Sequence, residues 1–207
     1  YLNLALIFEI LESYKVSEEK ILLSLKYVKS VSDPNILTLS YLEIAGFYLN
    51  RTAIMTSLSQ QDTLMAKADS MISLAEKVQY DSAHVLVQLR FLLIKAHRAM
   101  LNKNFKSSLQ MFSKAEKLLS NQDENYWKAL TYSMIAETYL AASFDDNKSK
   151  QKYLLLSISY AGKSLEHIQP IGAIMIEKKI NGILRNSWAE LCNMEKYRLY
   201  AEKYITN

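Results

Sequence analysis

Glycine and proline are scarce in this chain, 4 and 2 among 207 residues, and neither occurs between Gly46 and Gly162. Tight β-hairpin turns depend on such residues, so a β-rich domain is excluded over that span and an all-α fold is left. Cysteine is scarcer still. With Cys192 alone, the chain can build neither an internal disulfide framework nor a cysteine-based metal site, and it suits a reducing compartment such as the cytoplasm. No apolar run approaches the ~20 residues that cross a bilayer, the longest tracts being Ile21 to Leu25 and Tyr153 to Leu156, and no signal peptide is seen. An excess of one charge is also missing. The 25 basic and 21 acidic residues are interspersed, and a net +4 so distributed does not make the basic stripe that direct nucleic-acid binding needs; Lys103 and Lys106 near Arg98 come closest.

What is present is apolar residues at helical spacing. Half of the chain is hydrophobic, enough for a substantial core and against disorder. The stretch from Leu86 to Leu119 sets the pattern: Leu86, Leu89, Leu92, Leu93, Ala96 and Met100 line one helical face, Asn102, Lys103 and Asn104 interrupt it, and Phe105, Leu109, Phe112, Ala115 and Leu119 restart it. That is a helix, a tight turn and an antiparallel helix.

The same reading predicts ten helices. The first covers about Leu2 to Tyr14; Ser17, followed by Glu18 and Glu19, caps the second; Asp33-Pro34 starts a third that runs on to about Leu58. Asp62 is expected to cap a fourth, with Met65, Ala68, Ile72, Ala75 and Val78 inward, and Asp81-Ser82 to open the fifth. Asp123 and Glu124 begin the seventh, the polar loop from Asp145 to Lys148 separates it from the eighth, Pro170 follows the eighth, and the tenth starts near Glu195. The chain opens on Tyr1, without methionine and already in helical phase, so residues 1–207 are expected to be one helical domain of a longer protein.

Paired, the helices make about five hairpins. Ala68, Ile72 and Ala75 align with Ser108, Phe112 and Ala115 and with Leu154, Ile158 and Ala161, at offsets of roughly 40–46 residues. On the first helices, Ala45 with Tyr48, Ala96 with Ala99, Ala136 with Tyr139 and Ala189 with Cys192 repeat a small residue and a filler three later, so Cys192 is expected as a buried thiol.

With Tyr41, Ala45 and Tyr48, with Tyr132, Ala136 and Tyr139, and with Phe105, Ser108, Phe112 and Ala115, the chain resembles the tetratricopeptide repeats, without that family's turn glycine and with inserted residues in two repeats. The resemblance implies an α-α superhelix, a solenoid of stacked hairpins whose first helices line a groove for a protein or peptide segment. Projected onto this chain, the family's groove positions fall on Asn50, Arg90, Leu93, His97, Ser133, Glu137 and Arg185, with Arg90, His97 and Glu137 as polar anchors. It further implies a non-enzymatic scaffold, the sensing or interaction module of a larger bacterial signalling or transcription-regulatory protein. A receptor domain that senses a peptide or small molecule and signals by superhelix pitch or dimer contact is the competing expectation. Tyr197, Tyr200 and Tyr204 gather on the terminal helix, a face open to another domain or a second copy.

Catalytic chemistry does not assemble. His84 and His97 lie on different faces of one helix and His167 on another hairpin, so no metal or cofactor is expected. Ser17 to Lys20 and Ser149 to Lys152 have a hydrolase spacing but sit where helices start, and no Gly-rich phosphate loop is possible.

Overall fold

A computed structural model describes residues 14–28 and 30–206; the expected first helix lies outside them. The described residues are all-α, with no strand. In chain order the helices are α1 (Tyr14–Val28), α2 (Pro34–Ile54), α3 (Leu58–Lys77), α4 (Val85–Leu101), α5 (Phe105–Leu119), α6 (Asn125–Asp145), α7 (Lys150–Ile168), α8 (Ile174–Glu190) and α9 (Met194–Thr206). Two compact units divide between Ile94 and Lys95, inside α4.

In the first unit, α1 packs against α2 and α2 against α3. Asp33 caps α2 through Oδ1, which accepts from Asn35 N at 2.8 Å and Ile36 N at 3.1 Å, and Pro34 supplies the preset φ of the first turn. Leu42, Ile44, Ala45, Phe47, Tyr48 and Leu49 are buried along α2, and Ala68, Ile72 and Ala75 along α3. Gly46 makes room for α4: a Cβ there would stand 3.0 Å from Ile94 Cδ1.

In the second unit, α5 packs on α6, α6 on α7 and on α8, α7 on α8 and α8 on α9. The α6–α7 contact is close because its faces are built from Ala129, Ala136, Ala161, Ser157 and Ser164, all fully buried. Serine hydroxyls then bridge the helices, Ser157 Oγ donating to Ala136 O at 2.8 Å and Ser164 Oγ to Ala129 O at 2.5 Å. Each hydroxyl satisfies itself on a second lone pair of a helical carbonyl, so burial costs little.

Two turns share one construction. After α4, Lys103 takes φ 58°, Lys103 N–H donates to Met100 O and Asn104 N–H to Ala99 O; after α8, Cys192 takes φ 57°, with Cys192 N–H to Ala189 O and Asn193 N–H to Trp188 O. This is the left-handed helix stop with its paired back-bonds. The asparagine that follows each then caps the next helix, Asn104 Oδ1 accepting from Ser107 N and Asn193 Oδ1 from Lys196 N.

Several expected boundaries move. α2 ends at Ile54 and does not reach Leu58, because Met55 to Ser57 break out of the helix; Gln61 Nε2 donates to Met55 O at 2.6 Å across the corner. α3 consequently begins at Leu58 with Ser57 at its cap, and Asp62 lies inside it. Ser17 likewise falls inside α1. On α7 the buried row is Leu154, Ser157, Ala161, Ser164 and Ile168, with Ile158 only half-buried. Cys192 is exposed, because the turn and not a helix face holds it, and Ala189 beside it is exposed as well. The small position on α8 is Gly182, where a Cβ would meet the Tyr204 ring at 3.2 Å.

Candidate functional site

Four helices, α2, α4, α6 and α8, carry the seven positions singled out from sequence, and their side chains meet different fates. Leu93 and Ser133 are fully buried, and Ser133 Oγ donates to Leu130 O at 2.8 Å within its own helix. Asn50 is exposed on the last turns of α2. Arg185 is half-buried, its guanidinium 4.6 Å from the centroid of the Tyr204 ring and its Nε donating to Asn186 Oδ1 at 3.0 Å. A cation over an aromatic face is a favourable contact, so this arginine helps hold α9 on α8.

The three polar anchors are engaged with partners on neighbouring helices. In the first unit, Arg90 Nη2 lies 2.7 Å from Glu43 Oε2 on α2, the arginine buried and the glutamate accessible. In the second, Lys179 Nζ on α8 lies 2.6 Å from Glu137 Oε2 on α6, and both side chains keep about a third of their surface. His97 on α4 is 4% exposed and senses both charges. Burial lowers its pKa to about 4, with Lys179 acting in the same direction and Glu137 against it, so at neutral pH the imidazole is uncharged. Burial pushes Glu137 upward, yet Lys179 and then His97 more than offset that and hold its carboxyl below the ordinary value. Glu137 is therefore a carboxylate with one lysine beside it, and the trio His97, Glu137 and Lys179 is brought together from three helices.

Sequence reasoning named Arg90, His97 and Glu137 but not Glu43 or Lys179. The available signal was an acid or base on one first helix answered by the opposite charge on the next, which requires knowing which helices are neighbours.

A second feature lies on α6 and α7. Tyr132 and Tyr139 on α6 and Tyr153, Tyr160 and His167 on α7 form a stripe of rings, all half-buried. Tyr132 stacks on His167 at 5.7 Å between centroids, Tyr139 on Tyr160 at 5.7 Å, and Tyr139 meets Tyr153 at 6.0 Å. Lys163 Nζ sits 4.5 Å from the Tyr160 centroid and 5.6 Å from that of Tyr132. Burial, followed by the nearby charge of Glu116, raises the pKa of Tyr132, Tyr139 and Tyr160, keeping them as neutral phenols.

Among the described residues there is no group of three histidine, cysteine or acidic side chains that could hold a metal ion, and no helix is long and apolar enough to cross a membrane. No family model matches the chain, and neither a curated protein nor a solved structure gives a significant match.

Proposed function

We propose that the chain is a tetratricopeptide-like solenoid that acts as a non-enzymatic scaffold, holding a protein or peptide segment along its first helices. One observation carries the reading: charged groups on successive first helices answer one another, as Glu137 and Lys179 do at 2.6 Å, with about a third of each side chain accessible. Such half-exposed pairs can exchange part of their mutual attraction for a partner's termini, amides or charged side chains, and they fix register more than they add affinity. In this reading the chain is the interaction module of a larger bacterial signalling or transcription-regulatory protein.

The test is a peptide selected from a random display library against the chain, then measured against a Glu137→Lys, Lys179→Glu exchange, which keeps the ion pair but reverses its polarity. The exchange variant should melt near wild type and bind the selected peptide at least tenfold more weakly. Equal binding by both proteins removes the first helices as the working surface.

A receptor reading, in which a small molecule or peptide is sensed, has its own observation: a cleft between α5, α6 and α7 lined by both Glu116 and Lys128.

A further inference from the structure

The cleft between α5, α6 and α7 has a volume of about 170 Å³ and is walled by Glu116 and Leu119 from α5, Lys128, Thr131 and Tyr132 from α6, and His167 from α7. It is well below the roughly 300–1,000 Å³ of sites for drug-sized ligands, so only a small molecule fits. The Thr131 side chain is fully buried, and its Oγ1 has no hydrogen-bond partner. The other buried threonines, Thr38, Thr52 and Thr138, each donate back to the carbonyl four residues earlier. A buried hydroxyl without a partner is destabilising, on the order of 1–3 kcal/mol, and is expected where something else supplies the bond.

Two charges of opposite sign line the same cleft. Neither the Lys128 ammonium nor the Glu116 carboxylate forms an ion pair or hydrogen bond with another described residue. Burial raises the Glu116 pKa, and the charge of Lys163 partly offsets this. Beside them, His167 Nδ1 is 2.9 Å from Asn125 Oδ1, which fixes the ring that stacks on Tyr132. A simple anion would face Glu116, and a simple cation would face Lys128. A molecule with both charges satisfies both.

We propose that this cleft binds a free α-amino acid, its carboxylate taken by Lys128 and the Thr131 hydroxyl and its ammonium by Glu116. Leu119 and the His167 ring leave an apolar wall for a modest side chain. The inference rests on the receptor reading and is independent of the first-helix groove.

The experiment uses the whole chain and calorimetric titration of each of the 20 standard amino acids, together with the N-acetyl and α-amide derivative of any that binds. At least one free amino acid should bind saturably, with each derivative, which lacks one charge, at least tenfold weaker. Lys128→Met and Thr131→Val should each weaken binding tenfold or more while keeping the helical circular-dichroism spectrum. Thr131→Val without ligand should melt at or above the wild-type temperature, because it removes the unpartnered hydroxyl. Absence of saturable binding by all 20, or binding unchanged in both variants, overturns the proposal. If a singly charged derivative binds as well as its parent through the same two residues, the amino-acid assignment falls while the receptor reading stands.

Discussion

Phe112 is almost fully buried, at 1% exposure, and lies between Ser108 and Ala115, both of which are also buried. Truncating it to alanine leaves a cavity that such small neighbours cannot fill, so Phe112→Ala should cost about 3–5 kcal/mol in urea denaturation. These three residues were legible because a single helix face is a local pattern. His97 was legible as a residue on a helix but not as a buried neutral one, since its environment comes from α6 and α8. Its pKa gives a second prediction. In the unfolded chain the imidazole gains its proton near pH 6.5, whereas in the folded chain it does so only at about 4. Stability is therefore complete above about pH 6.5 and falls as the pH drops toward 4, by on the order of 3 kcal/mol. Glu137 adds to the loss at the acid end, since a carboxylate with a lowered pKa contributes stability that disappears as pH falls through its folded value. Denaturant midpoints measured from pH 7 to 4 should flatten in His97→Gln, and an unchanged slope in that variant would mean the imidazole is not the source.

At the scale of elements, helix existence followed from periodicity, but the ends followed from chemistry that the spacing did not reveal. Asp33-Pro34 was read correctly because cap and proline act within one turn. The break at Met55 was not, because it depends on Gln61 reaching back to a carbonyl six residues earlier. Nor was the pairing of Glu43 with Arg90, which requires α2 and α4 to be neighbours. In α9 no residue is buried, and it is held through Tyr204 on Gly182, with Arg185 and Lys178 over that ring. Tyr204→Ala should therefore remove hydrogen-exchange protection from α9 and from the end of α8 while α6 keeps its own. Equal loss across α6 would mean that these helices open as one cooperative block.

At the scale of the molecule, the described residues bury their apolar surface between helices that are close in sequence, and in the second unit the widest step is from α6 to α8. Local pairing of this kind predicts fast folding for the chain's length. The all-α class could be read from the dearth of glycine and proline; the candidate cleft could not, since its walls come from three helices. The same scarcity of glycine has a consequence at the two hairpin stops. Lys103 and Cys192 occupy left-handed backbone positions that side chains with a Cβ adopt at a cost of about 1 kcal/mol. Cys192→Gly should therefore raise the melting temperature and also make the chain inert to thiol oxidation, whereas at Lys103 the same change would also delete the ion pair of Lys103 Nζ with Asp145 Oδ1 at 3.0 Å, so its gain should be smaller.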